Sequence, residues 1–362
     1  MNAVAPTSIA IQIGGVIDTL RRHRFSGAII GPAGIGKTCV VTAIASTCAD
    51  RRQEFLAKLE LVMGPFPKQK RKPPLDIKTL GSLDLPTHSR LSISYVSEEG
   101  DRVPAYILKP KKLEGRAPAM LCLHQTTELG AGEHAGVGGD PNLHYAQELA
   151  ERGYVTIAPD YPDLPLTRGF GGYRFDAYRH GYSSNTMKGI WNHRRAVDLL
   201  QGLPEVDPER IGCIGHSLGG HNTLFVGAFD PRLRVLVTSS GFTSFAKYYG
   251  GELCGWSQLR YMPLIATQYH DNPKEMPFDF SDVLAALAPH PVFINAPLRD
   301  DNFDYTGVDD IVRTLKSTCP SEFGAGDRVV VRHPDAPHSF PAGVRHEAYE
   351  FIDKWLEHKP VT

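Results

Sequence analysis

From residue 90 onward the chain alternates apolar and polar positions in two registers. Residues 90–96 and 102–108 alternate with a period of two on either side of Glu98-Glu99-Gly100-Asp101, which predicts two antiparallel strands joined by a turn. Residues 117–124 and 154–159 are short continuous apolar runs flanking the helical pattern of 143–152, and that order predicts a parallel β-α-β unit. A second amphipathic helix is predicted over 185–203, followed by a strand at 210–215. Further strands are predicted at 233–239, 291–296 and 328–331, and a closing helix at 346–358. Strands and helices alternate throughout, so the fold class is α/β with a mostly parallel sheet.

Before residue 90 the pattern is different. Residues 51–63 read as one amphipathic helix, stopped by Gly64-Pro65-Phe66-Pro67, and the basic stretch Lys68, Lys70, Arg71, Lys72 ahead of Pro73-Pro74 reads as a solvated linker. Gly31-Pro32-Ala33-Gly34-Ile35-Gly36-Lys37-Thr38 satisfies the phosphate-loop pattern G-x-x-x-x-G-K-[ST], between an apolar run and a helix-compatible stretch. Residues 49–90 offer no following parallel strand that ends in an acid to hold magnesium, so this motif stands without its domain. The expected division is therefore an N-terminal extension at 1–50, a helix and linker arm at 51–89 and a catalytic domain at 90–362.

Composition narrows the function classes. With 362 residues the chain is long enough for one sizeable α/β core plus an extension, and a net charge of −1 gives no electrostatic reason to expect nucleic acid or an anionic membrane. No run approaches the roughly eighteen apolar residues of a membrane span. The six cysteines form no C-x-x-C pair, and no histidines show H-E-x-x-H spacing, so neither a disulfide scaffold nor a metal is indicated. A cytoplasmic location and a small neutral substrate are the expectations; oligomeric state is left open.

The chemistry concentrates at Gly215-His216-Ser217-Leu218-Gly219, a G-x-S-x-G turn between a predicted strand and a predicted helix. A serine hydroxyl is a weak nucleophile at neutral pH, so a base must take its proton and an acid must orient that base. Asp300 lies in the loop after the strand at 291–296, with Asp301 as the neighbouring alternative. His338 lies in the loop after the strand ending at 331, with His333 as the fallback. Ser217, Asp300 and His338 thus follow separate strands in the order Ser…Asp…His.

With that order and the loop Pro334-Asp335-Ala336-Pro337-His338-Ser339-Phe340, residues 90–360 resemble the α/β-hydrolase superfamily, in particular its dienelactone-hydrolase-like and acetyl-ester-hydrolase-like branches. The resemblance implies an α/β-hydrolase fold and a serine esterase working through an acyl-enzyme, with Ser217 in place of the cysteine of dienelactone hydrolases. It implies an oxyanion hole from the backbone N–H of Leu218 and a second donor in His124-Gln125-Thr126, with Gln125 preferred. It requires no cofactor. The aromatic-rich insertion at 240–290 is expected to form a lid, with His216, Trp256 and Tyr261 against the substrate. A thioesterase or peptidase remains open, although too few residues precede position 90 for the β-propeller of prolyl-oligopeptidase-like peptidases. The reading from another class is a nucleotide-binding regulatory protein that uses Lys37 and Thr38 and keeps the hydrolase-like part for binding alone.

Overall fold

The structure, a computed structural model, describes residues 51–67, 72–113, 115–164, 167–323 and 326–361. The phosphate-loop motif at 31–38 lies outside the described residues. The apolar runs assemble into a nine-stranded sheet: β1 (Lys78–Asp84), β2 (His88–Glu98), β3 (Asp101–Pro110), β4 (Ala117–Leu123), β5 (Val155–Pro159), β6 (Val206–His216), β7 (Leu233–Ser239), β8 (Val292–Asn295) and β9 (Val329–Arg332). Their order across the sheet is β1-β2-β3-β5-β4-β6-β7-β8-β9. The first three strands pair antiparallel and β3 pairs antiparallel with β5, whereas every pairing from β5 to β9 is parallel.

The continuous apolar runs are buried on both faces, as parallel strands between helical layers must be. Along β4, Leu121 and Leu123 face one core with Leu224 and Phe225, while Met120 and Cys122 face the other with Tyr349 and Ile352. Helices α1 (Tyr145–Glu151) and α6 (Ala342–Trp355) cover the second face. Helices α2 (Asn185–Gly202), α3 (Leu218–Phe229), α4 (Phe280–Ala286) and α5 (Tyr305–Thr318) cover the first. Each fully buried leucine contributes about 2 kcal/mol of transfer free energy to this arrangement.

One expectation about the chain before residue 90 is corrected, the start of the sheet. Residues 51–63 are helical as expected, and Leu59, Val62 and Met63 are fully buried in the first core. Arg52 also donates to the carbonyl of Ala228 at 2.7 Å, at the end of α3. The sheet begins at Lys78 rather than at 90, because β1 pairs with β2 from Lys78↔Ser94 to Asp84↔Ser89. Most of β1 is exposed, so it carries no apolar alternation, and a bulge between Thr79 and Gly81 interrupts its register.

The insertion at 240–290 is rooted in the core. Phe242, Phe245, Tyr248, Leu253, Trp256, Phe278 and Phe280 join the first core cluster, and Trp256 packs 5.7 Å from Phe280 and 6.1 Å from Phe303 between ring centroids. Such aromatic contacts each add about 1 kcal/mol beyond area burial. The segment packs as a wall beside the carboxyl ends of β6 and β8.

Candidate active site

Strand β6 ends at His216 and α3 begins at Leu218, leaving Ser217 alone at the corner with φ 53° and ψ −118°. A non-glycine residue held there stores about 1–3 kcal/mol of backbone strain, which the surroundings must over-determine. They do so at close range. The Ser217 N–H donates to the carbonyl of Ser239 at 2.8 Å, and the Ser217 carbonyl accepts from Gly220 N at 2.8 Å. The flanking glycines are required by contact: a Cβ on Gly215 would stand 2.1 Å from the Gly219 oxygen, and one on Gly219 would stand 1.9 Å from the Leu123 oxygen. The start of α3 is thereby pressed onto the end of β4, next to His124 and Gln125.

Asp300 and His338 meet. The His338 Nδ1–H donates to the Asp300 carboxylate, with distances of 2.9 and 3.0 Å to the two oxygens. The Asp300 side chain is wholly buried and also accepts the backbone N–H groups of Asn302 and Phe303, at 2.9 and 3.0 Å. Burial pushes the Asp300 pKa up, but the His338 bond and charge and the two amides outweigh it and hold it below the usual carboxylate range. The carboxylate therefore stays ionised at neutral pH and fixes a proton on the Nδ1 that faces it. Asp301 is exposed. His333 is engaged elsewhere, with Nδ1 2.7 Å from the Ala296 carbonyl and Nε2 3.1 Å from Asp309.

The His338 ring packs 4.8 Å from that of His216, the residue before Ser217, so the histidine loop and the elbow are neighbours. His216 is 2% exposed and Trp256 is 3% exposed, so both rings are buried beside the elbow. Burial, reinforced by the nearby His338, pushes the His216 pKa down to about 3 and keeps it neutral. Its Nδ1 bonds Ser239 Oγ at 2.9 Å. Asn295 Nδ2 donates to the same Oγ at 2.9 Å and to the Ser339 carbonyl at 2.9 Å. This chain ties β6, β7, β8 and the histidine loop together. Sequence reasoning missed Asn295 and Ser239; their trace was a polar residue closing each apolar run.

Beside the elbow Leu218, Tyr161, Leu164, Asn185, Asn222, Arg260 and Tyr261 line a small cavity of about 10 Å³, room for about one water. The Gln125 side chain turns away, donating to Glu133 Oε2 at 2.5 Å, while Glu133 Oε1 accepts Asp140 N at 2.8 Å. That pair fastens the loop at 130–140 to the end of β4, and any oxyanion contact from Gln125 falls to its main chain.

The family model of the prolyl oligopeptidases (Peptidase S9) matches residues 142–360. The chain belongs to the prolyl oligopeptidase family. The match spans the elbow and the Asp300 and His338 loops, within the α/β-hydrolase part of the chain. YtaP of Bacillus subtilis, a protein named as a hydrolase, is 27% identical over 327 residues, covering 85% of this chain and 99% of that protein. Among solved structures, the glucuronoyl esterase from Solibacter usitatus superposes with a TM-score of 0.68 at 18% identity, covering 86% of this chain and 93% of that one. Acetyl xylan esterase 1 from Thermoanaerobacterium sp. gives 0.56 at 19% identity, with 85% and 93% covered. At such identities the likeness is one of fold, and that fold is the α/β-hydrolase fold of this prolyl oligopeptidase family member. No helix among the described residues is long and apolar enough to cross a membrane.

Proposed function

We propose that the chain is a serine hydrolase that cleaves carboxylic esters through an acyl-enzyme. Ser217 attacks the ester carbonyl as His338 Nε2 takes its proton. The developing oxyanion is held by the backbone N–H of Leu218 and by the main chain at Gln125. The imidazolium, stabilised by Asp300, then protonates the leaving alcohol, and water repeats the sequence to free the acid. One observation carries this reading: an ionised, buried Asp300 fixes a histidine that packs against a strained serine corner. Esters are favoured over peptides because the two esterases whose fold superposes act on glucuronoyl and acetyl xylan esters by their names. Esterified carbohydrates are accordingly the substrate class to try first.

The test is hydrolysis of p-nitrophenyl esters of increasing acyl length by the wild type and Ser217→Ala. Turnover by the wild type is expected to fall at least 10³-fold in the variant, as loss of a triad member does. Equal rates in the two would refute the assignment of Ser217. A prolyl-p-nitroanilide run alongside tests peptidase activity.

A further inference from the structure

The loop that follows β4 is built round a buried acid without a cation. Glu133 is 5% exposed, and among the described residues it makes no ion pair. Each of its carboxylate oxygens has one donor: Oε2 accepts the Gln125 side-chain amide at 2.5 Å, and Oε1 accepts Asp140 N at 2.8 Å. Burying a carboxylate away from any cation is costly, and those two hydrogen bonds are what offsets it. The chain makes room for the group, since Gly139 stands at φ 85° and a Cβ there would run into the carboxylate. The helical turn Ala131–His134 that carries Glu133 is itself pinned, because its Ala131 N–H donates to the buried Asp160 Oδ1 at 2.7 Å.

What this acid holds is a residue next to the elbow. The Leu218 N–H opens α3 and the Gln125 N–H follows β4, and among the described residues neither is given to an acceptor. The two stretches are in contact, because Gly219 leaves no room for a Cβ between α3 and the end of β4. The Gln125 carbonyl accepts the His124 Nδ1–H at 2.7 Å. Gln125 is thus held at its carbonyl by His124 and at its side chain by Glu133, which fixes the residue on two sides.

We infer that Glu133 is a positioning residue for the oxyanion hole: by tethering the Gln125 side chain to the 131–140 loop, it aims the Gln125 main chain at the oxygen that the Leu218 N–H also holds. The inference rests on the ester-hydrolase reading and deepens it, since half of the hole then depends on a carboxylate that never touches substrate. Glu133 acts through its hydrogen bonds rather than its charge, so an amide can replace it. In Glu133→Gln the new Oε1 accepts Asp140 N, and the new Nε2 donates to Gln125 once the Gln125 amide is reversed. Gln125 Oε1 is buried without a donor, so that reversal sacrifices no bond.

The test sets 4-nitrophenyl butyrate against its thiono analogue, in which sulfur replaces the carbonyl oxygen. Sulfur is a poor acceptor, so the oxo-to-thiono ratio of kcat/KM reads the hole, and the fraction of folded enzyme cancels from it. Removing an oxyanion donor costs about 10²-fold to 10³-fold in kcat, and misaiming one costs part of that. Glu133→Ala is therefore expected to lower kcat on the oxo ester by about 10-fold to 10²-fold with little change in KM, and to shrink the ratio by a similar factor. Glu133→Gln is expected to recover most of both. Gln125→Ala keeps the main chain and cuts the tether; it should show the same shrunken ratio, and it decides the matter if Glu133→Ala does not fold. A ratio unchanged in the tether variants, or Glu133→Gln as impaired as Glu133→Ala, would overturn the inference. If the wild type turned over neither ester, the ester-hydrolase reading would fail instead. In that case, or with a thiono ester too slow to follow, phosphonylation of Ser217 by a 4-nitrophenyl alkylphosphonate judges Glu133 by mass, because the phosphoryl oxygen calls on the same donors. Labelling slowed at least tenfold in Glu133→Ala and restored in Glu133→Gln supports the tether; equal rates, or no labelling of the wild type, reject it.

Discussion

Lys188 is a lysine with no access to water, and its replacement by methionine should be among the most damaging single changes in the fold. Its ammonium bonds Ser97 Oγ at 3.0 Å and Asp101 Oδ2 at 2.6 Å, and it is also paired with Glu98. The Phe175 ring lies 4.2 Å away and the Tyr182 ring 5.6 Å. Asp101 accepts the Tyr173 hydroxyl at 2.8 Å, and Glu98 accepts that of Tyr182 at 3.0 Å. One cation thus serves two carboxylates that are only 6% and 4% exposed. Lys188→Met preserves length and removes the charge, leaving Glu98 and Asp101 facing each other in a dry site. Breaking a buried pair costs about 3–5 kcal/mol, and a cation shared by two acids belongs at the upper end. Against a total of about 5–15 kcal/mol, that is a third or more of the stability. Urea unfolding at pH 7 measures it. The triple variant Lys188→Met, Glu98→Gln, Asp101→Asn should recover most of the loss, because amides tolerate the same hydrogen bonds without a counter-ion. A single-variant loss below about 1 kcal/mol, or a triple variant no better than the single one, would refute the electrostatic reasoning and leave packing as the cause.

The remaining predictions concern the site and its protonation. Asp300→Asn should lower kcat by about 10³-fold to 10⁴-fold with little change in KM, since the amide favours the wrong histidine tautomer. Asp301→Asn, at an exposed position, should leave kcat within about twofold; steady-state kinetics on one ester series checks both. Stability should fall as pH drops below about 6.5. Burial pushes His193, His216 and His221 down to about 3, so between those values the unfolded chain binds protons that the native chain refuses. Each such histidine then removes about 1.4 kcal/mol per pH unit. Asp300, whose pKa is also held down in the fold, adds its loss only below about pH 4. Urea midpoints measured from pH 8 to pH 4 should decline monotonically, and a flat profile would contradict the burial of these rings as neutral species.

The residues legible in the sequence were those whose chemistry is local. The elbow could be read because its glycines answer to contacts within a few positions, and Asp300 and His338 because each follows a strand whose apolar run is continuous. The strands from β2 to β9 were visible for the same reason, with ends displaced by a few residues. What stayed hidden depends on distant partners. Lys188 reads as one more charged residue on a helix, and its carboxylate partners at the turn between β2 and β3 are distant in the chain. Strand β1 is exposed on an edge and has no periodicity to show. Asn295 and Ser239 look like ordinary strand terminators until β7 and β8 lie side by side.

The loop that carries His338 follows the last strand of the sheet and is fastened to the end of β8 through the Asn295 bond to Ser339. On the proposed mechanism, then, Ser217 and its base belong to parts of the chain that only the pairing of β9 with β8 and the Asn295 bond bring together, so the last strand of the sheet is as necessary to the chemistry as the elbow itself.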